Sequence, residues 1–316
     1  METKEKKIIP IFFATDDNYV PFLAVSIKSM LANASKEYFY NIHVLTDKLS
    51  DCSVEKLKAN LSDNSRLIID EMEGCVNKIQ DELKLSLRDY YTISIFYRLF
   101  IAELYPEYHR AIYLDCDIVV LGDIAELYNK NLKGNIFGAV TDDVIASVDQ
   151  FRVYAREGVG VDDSRYFNSG MLLMDLDMYR KEEILPKFIK LLTKYNFETA
   201  APDQDYLNVL CKDKILYLEK GWNRMSTDEN YDGKLNIIHY NNFRKPWYYD
   251  DVPYGKYFWE YAVQTNFYDY IKSIKDNFTQ EMADRHIKGA EGLVAQTIRI
   301  VNSDKNFKKV IFDKKK

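Results

Sequence analysis

The sequence is poor in the residues from which stapled folds are made: 316 residues contain four cysteines and four histidines. Cys52, Cys75, Cys116 and Cys211 form no C-x-x-C pair, which argues against a structural zinc site and reads as reduced intracellular thiols. No apolar run approaches the roughly 20 residues of a membrane-spanning helix. The N-terminal run over residues 8–13 is too short and lacks a small-residue cleavage site behind it, so it is read as a strand and the chain as cytoplasmic. A basic excess is also missing. The formal net charge is −6, against what a nucleic-acid partner wants. There is no internal repeat, no low-complexity linker and no clear second domain.

Apolar residues make up 47%, with 25 Tyr and 17 Phe, enough for one large α/β domain with or without a small extension. The aromatics serve packing or, in part, stacking against a sugar or nucleobase. Residues 8–14 read as a buried strand. Val20, Leu23, Ala24, Ile27 and Leu31 fall at helical spacing. A strand at 42–45, a helix at 54–61 and a strand at 66–69 follow. This β-α-β-α-β order predicts a mainly parallel central sheet flanked by helices on both faces, with right-handed connections. Further on come a helix over 92–104 containing Arg98, strands at 110–114, 136–140 and 170–174, helices over 177–195 and 203–211, and strands at 215–218 and 235–238. Beyond Pro253 the pattern is helical, which places a boundary near 250–257: residues 1–256 as a compact nucleotide-binding region and 257–316 as a helical C-terminal extension. Lys305, Lys308, Lys309, Lys314, Lys315 and Lys316, interleaved with Phe307, Ile311 and Phe312, form either a solvated tail or a peripheral contact with an anionic membrane face.

Ligands of open α/β sheets sit at the carboxyl ends of strands. Asp115-Cys116-Asp117 lies directly behind the strand at 110–114, and two carboxylates one residue apart can share a divalent cation that keeps positions open for diphosphate oxygens. Two other triplets have the same form. Asp175-Leu176-Asp177 precedes a helix, with Asp177 as the expected N-cap. Asp203-Gln204-Asp205 opens a helix behind Pro202, where carboxylates suit the dipole. His239 ends a strand, and as a ligand its imidazole would bias the site from Mg2+ toward Mn2+. Lys245 is either an ordinary surface lysine or a neutraliser of a leaving diphosphate.

These pieces, in this order, resemble glycosyltransferase family 8, the retaining enzymes that include lipopolysaccharide galactosyl- and glucosyltransferases and glycogenin. The segments that carry the resemblance are Phe13-Ala14-Thr15-Asp16-Asp17-Asn18-Tyr19, Phe96-Tyr97-Arg98-Leu99, Ala111-Ile112-Tyr113-Leu114-Asp115-Cys116-Asp117, Tyr166-Phe167-Asn168-Ser169-Gly170, Asp203-Gln204-Asp205, and His239-Tyr240 with Lys245-Pro246-Trp247. The resemblance implies a GT-A type fold and transfer of a hexose from UDP-Gal or UDP-Glc to a glycan or lipid-linked glycan acceptor. It implies that Ala14, Asp16, Asn18 and Tyr19 meet the uridine, and that Asp115, Asp117 and His239 hold Mn2+. It further implies that Lys245 meets the diphosphate, that Arg98, Asp142, Asn168, Ser169, Asp203 and Gln204 surround the sugar, and that Gln204 faces the anomeric carbon. The chain departs from the family pattern behind His239, where Asn241-Asn242-Phe243-Arg244 replaces a region that often carries glycine, and at Ser169, where alanine is common. Cys116 is expected to point away from the metal.

Two competing readings exist. A strand-end D-x-D also opens haloacid dehalogenase-like phosphatases, but their pattern continues to a Thr two residues on, and here that position is Val119. A catalytically weak or inactive sugar-nucleotide-binding module would keep the binding residues and lose the catalytic ones, whereas Asp203, Gln204, His239 and Lys245 are all present.

Overall fold

The computed structural model describes residues 6–72, 93–241 and 243–313. A seven-stranded sheet has the order β3-β2-β1-β4-β7-β6-β8. Its strands are β1 (Lys7–Ala14), β2 (Tyr38–Thr46), β3 (Ser65–Glu71), β4 (Arg110–Leu114), β6 (Phe137–Ala139), β7 (Met171–Asp175) and β8 (Ile215–Tyr217). The first four positions are parallel, as the alternating pattern predicts, while β7 runs antiparallel to both β4 and β6. A second, three-stranded sheet pairs β10 (Ile237–His239) with β5 (Ile118–Val120) and β9 (Arg224–Met225).

Both faces of the large sheet are covered, so alternate residues of one strand enter different cores. Ile9, Ile11 and Phe13 of β1 share a core with α1 (Val20–Asn33) and with Leu57 of α2 (Asp51–Lys58), whereas Phe12 joins the opposite core. That opposite core holds α3 (Leu176–Lys181), α4 (Ile184–Tyr195) and α5 (Pro202–Cys211) through Tyr179, Phe188 and Tyr206. The C-terminal helices α6 (Gly255–Ala262), α7 (Tyr268–Asp276) and α8 (Gln280–Asn302) close the chain. Phe258, Tyr261 and Ile271 join the α1 core, and Ile300 joins the other.

Three expectations need correction. The helix over 92–104 is a 3-10 helix at Ile93–Phe100 with one α-turn at Ile101–Leu104; Thr92 lies outside the described residues. Phe96 through Phe100 are all buried, so no solvent-facing stripe demands a 3.6-residue period. The helix over 177–195 is two helices, broken where Glu183 takes the left-handed region at φ 51°. The N-cap is Asp175, whose side chain accepts from the Met178 N–H at 2.9 Å, and not Asp177. The last residue of β7 doubles as the cap, which leaves Asp177 to pair with Arg180 at 2.6 Å and with His109 at 2.9 Å.

The tail is not simply solvated over its described part. Phe307 is buried edge-on to Tyr206 at 4.8 Å, Lys308 pairs with Glu157, and Lys309 lies 3.4 Å from Asp304. Lys314, Lys315 and Lys316 lie outside the described residues. Among the described residues, no helix is long and apolar enough to cross a membrane. Cys52, Cys116 and Cys211 are free thiols.

Candidate active site

The site forms where the parallel strands end and antiparallel β7 begins. Leu114 of β4 registers with Met171 of β7, and the Asp115 N–H donates to the Gly170 carbonyl at 2.8 Å. One strand's exit and the next strand's entry thus lie side by side, which brings Asp115 to Asn168, Ser169 and Gly170. The small sheet supplies the remaining partner: antiparallel pairing sets His239 opposite Ile118, adjacent to Asp117.

The two aspartates are arranged alike. Asp115 gives Oδ1 to Arg98 Nη2 at 2.9 Å, and Asp117 gives Oδ2 to the Lys245 ammonium. Their other oxygens turn to one point: His239 Nε2 lies 3.7 Å from Asp115 Oδ2 and 3.2 Å from Asp117 Oδ1. His239 Nδ1 meets Asn223 Oδ1 at 3.1 Å, a partner that leaves Nε2 as the ring's free ligand atom. Two carboxylate oxygens and an imidazole nitrogen, mutually within 4.8 Å, can offer three ligand atoms to one divalent cation. Burial alone would raise the Asp117 carboxyl, but Lys245, and then His239, outweigh it and hold it well below the usual carboxylate range.

Space at this point is set by Gly170. A Cβ there would sit 2.3 Å from His239 Cε1 and 2.5 Å from Asp115 Oδ2, so any side chain pushes two of the three donors apart. If the cluster holds a divalent cation, Gly170→Ala is expected to weaken its binding by about 10–100-fold, read with Mn2+ as the probe by electron paramagnetic resonance of the free ion. Unchanged affinity would remove Gly170 from the site. The Cys116 thiol points elsewhere, donating to the Ala14 carbonyl at 3.2 Å, and burial pushes it well above its usual range.

Arg98 joins this cluster to a second group. It is buried, stacks over Tyr113 at 4.2 Å, and reaches Asp203 Oδ2 at 3.2 Å and the Ser169 carbonyl at 2.7 Å. Burial works against its charge, yet Asp115 and then Asp203 outweigh it and hold the guanidinium above its ordinary value. Gln204, in the first turn of α5, accepts from the Ser169 N–H at 2.9 Å and from Asn168 Nδ2 at 3.1 Å, and its Nε2 donates to Asp142 Oδ2 at 3.1 Å. Asp142 also caps the helix Asp143–Ser147. These groups line a cleft of about 200 Å3 that runs from Asp115, Asp117 and His239 to an apolar end at Val144, Phe151 and Leu293.

Asp205 does not line it. Its two oxygens accept from the Tyr154 hydroxyl at 2.6 Å and the Tyr166 hydroxyl at 2.5 Å, with the Ala200 and Ala201 N–H groups adding to one of them. Burial lifts this enclosed carboxyl to about 6.

The residues expected to meet a nucleoside gather in the turn behind β1. Ala14 ends β1, Asp16 Oδ1 accepts the Tyr19 N–H at 3.0 Å, and the Tyr19 ring stands edge-on to Trp247 at 6.3 Å. Asn18 is exposed in the same turn, and Asn242 lies outside the described residues. Tyr113, whose hydroxyl donates to Asp115 Oδ1 at 3.0 Å, Asn223 and the packing role of Gly170 were not anticipated from the sequence.

The sequence model of glycosyl transferase family 8 matches residues 10–251. The chain belongs to this family. A putative glycosyltransferase of Haemophilus influenzae is 28% identical over 72% of this chain and 67% of its own length. A lipopolysaccharide 1,2-glucosyltransferase of Escherichia coli is 27% identical over 78% of this chain and 76% of its own. Among solved structures, the galactosyltransferase LgtC in complex with donor and acceptor sugar analogues superposes with a TM-score of 0.62 at 26% identity, covering 82% of this chain and 96% of that one. The protein is a glycosyltransferase with the GT-A fold.

Proposed function

We propose that the chain is a retaining hexosyltransferase that moves glucose or galactose from a UDP-sugar to a glycan of cell-envelope type, with Mn2+ bound by Asp115, Asp117 and His239. The carrying observation is the convergence of Asp115 Oδ2, Asp117 Oδ1 and His239 Nε2 beside Lys245 and at the mouth of the Asp203–Gln204 cleft. The names of its relatives, a lipopolysaccharide glucosyltransferase and a galactosyltransferase, support the substrate class. Residues 1–256 act as the transferase unit and 257–316 as its helical extension. When bound, the cation supplies Lewis-acid stabilisation of the departing diphosphate.

Each residue then has a task. Ala14, Asp16, Asn18 and Tyr19 receive the uridine. Lys245, buried beside Asp117, brings a positive charge to the diphosphate as negative charge grows there. Arg98 and Asn168 hold Asp203 and Gln204 in place around the sugar. Retention by double displacement needs a free carboxylate beneath C1. Asp205 has both oxygens bonded inside the core, Asp203 is held by Arg98 and by the Ser169 hydroxyl at 2.9 Å, and Gln204 is an amide. A front-face substitution fits better: the C1–O bond to the diphosphate breaks, the acceptor oxygen bonds C1 from the same side, and its proton leaves on the departing UDP.

The test is UDP release from UDP-Glc and UDP-Gal. Release should fall to background in EDTA and return more fully with Mn2+ than with Mg2+. No release from any UDP-sugar, with or without glycan acceptors, would refute the reading, and a glycosyl adduct trapped on Asp203 or Asp205 would refute its mechanism.

A further inference from the structure

His239 is joined to Gln204 by a run of buried side-chain amides, and the bonds of that run all point one way. His239 Nδ1 faces Asn223 Oδ1 at 3.1 Å, and Asn223 Nδ2 donates to Asn168 Oδ1 at 2.9 Å. Asn168 Nδ2 then donates to Asp142 Oδ2 at 3.0 Å and to Gln204 Oε1 at 3.1 Å. Asn223, Asn168, Asp142, Gln204 and His239 are all buried. The direction is set at Asn168, from both of its ends. The Gly170 N–H, which can only donate, meets Oδ1 at 2.9 Å. On the other side Asp142 accepts, its Oδ1 being already taken by the Val144 and Ile145 N–H groups at 2.9 and 3.0 Å. With Asn168 fixed, Asn223 must turn its NH2 to Asn168 and its oxygen to His239. The proton therefore sits on His239 Nδ1.

Asn223 stands where the two sheets meet. It follows the 3-10 turn Lys220–Trp222 and directly precedes β9, whose Met225 registers with His239. Asn168 lies just before β7, the strand that pairs with β4 and so with the exit to Asp115. The Asn223–Asn168 bond therefore ties the small sheet, which carries His239, to the large sheet, which carries Asp115. A cation at Nε2 draws charge from the ring and makes Nδ1–H a stronger donor. Hydrogen bonds aligned in one direction polarise one another. This run ends on Asp142 Oδ2, which also accepts from Gln204 Nε2 at 3.1 Å. One chain of bonds thus orients both the imidazole of the cation cluster and the amide of Gln204.

We infer that Asn223 is a positioning residue that couples the cation cluster to the donor-sugar site, through Asn168. The inference deepens the transferase reading and rests on it for its chemistry, but its first test needs neither turnover nor a variant of Asn223. Proton–nitrogen correlation NMR on the full chain, with the His239 signal assigned by its loss in His239→Gln, should find Nδ1 protonated, both free and loaded with Cd2+ as a diamagnetic probe. The Gln204 side-chain amide protons should shift on Cd2+ loading. Asn223→Asp then separates the two arms. Its carboxylate keeps an acceptor for His239 Nδ1–H but sets an acceptor, in place of a donor, against Asn168 Oδ1. Asn168 cannot turn over to meet it without bringing Oδ1 onto Asp142 Oδ2 and Gln204 Oε1. In this variant Mn2+ affinity, read by electron paramagnetic resonance of the free ion, should equal or exceed the parent's, while the Gln204 shift disappears and acceptor-free UDP release falls about tenfold or more. Asn223→Ala, which removes both ends of the bridge, should also lose about 10–100-fold in Mn2+ affinity. An unprotonated Nδ1, a Gln204 shift that persists in Asn223→Asp, or equal losses of Mn2+ affinity and UDP release in that variant would overturn the coupling. The NMR and Mn2+ results as expected, with no UDP release by the parent from any UDP-sugar, would uphold it and refute the transferase reading instead.

Discussion

Asp117→Asn should lower UDP release by about 1,000-fold or more, equivalent to about 4 kcal/mol of transition-state stabilisation. The reason is that one side chain serves two partners. Its Oδ1 faces His239 Nε2 at 3.2 Å, and its Oδ2 holds the Lys245 ammonium. Asparagine keeps the shape and one acceptor oxygen but removes the charge that a bound cation beside His239 and the Lys245 ammonium both need. Loss of the metal and loss of Lys245's position should therefore appear together. Two measurements separate this from general damage. Mn2+ should raise the parent's melting temperature by mass action and leave the variant's unchanged. The acid side of the stability curve should also flatten. With its folded-state pKa depressed, Asp117 contributes stability that is fully present above an unfolded carboxylate pKa of about 3.9 and is lost as pH falls below it; the amide has nothing to lose there. A variant retaining a tenth of parental activity with the same Mn2+ requirement would sink the assignment.

Much of this site was legible because strand ends advertise themselves. An apolar run that stops at a polar group marks a strand end and a candidate ligand: Asp115 directly follows β4 and His239 ends β10, while Asp117 lies just before β5. The helix opened by Pro202 was legible for a similar reason, with Asp203 and Gln204 in its first turn. What could not be read is what periodicity does not encode. Alternation reports that β7 is buried, not that it runs antiparallel to β4, and it is that direction which lays Gly170 against Asp115. Strands β5 and β9, three and two residues long, are too short to show a period, so the small sheet that positions His239 and the Asn223 that orients it left no trace. The Asp175-Leu176-Asp177 triplet reads with Asp177 as the cap, and only the backbone path shows that Asp175 caps instead. Lysines around Phe307 look like a solvated tail by composition, yet one buried aromatic plugs the segment beneath α5. Helix α8 reads only as a helical stretch. That its Leu293 and Thr297 line the cleft beside Asp203 and Gln204 depends on tertiary placement.

Arg98→Met should cost about 3–5 kcal/mol of folding stability, the penalty for removing one partner of a buried charge cluster, and lower the melting temperature by about 10 °C. Methionine retains much of the packing over Tyr113, so the loss isolates the guanidinium. Arg98 spends its donors on Asp115 at 2.9 Å, Asp203 at 3.2 Å, and both the carbonyl and hydroxyl of Ser169 at 2.7 and 3.1 Å. Asp203 suffers most from its removal. Burial raises its carboxyl, Arg98 is the first influence that lowers it, and Asp115 raises it further. Without Arg98, its folded-state pKa climbs higher above the unfolded value. The sign of the pH effect follows: a carboxyl with a raised folded pKa is best tolerated below its unfolded pKa, and the penalty grows as pH rises through the folded one. The stability gap between Arg98→Met and the parent should therefore narrow from pH 8 toward pH 4, measured by urea unfolding at each pH. Arg98→Lys should not close the gap at neutral pH, because a single ammonium cannot span four acceptor atoms on three residues that a planar guanidinium fork reaches. A gap that stays constant with pH would mean that Arg98 contributes packing alone, and Asp203 would then need another source of its charge balance.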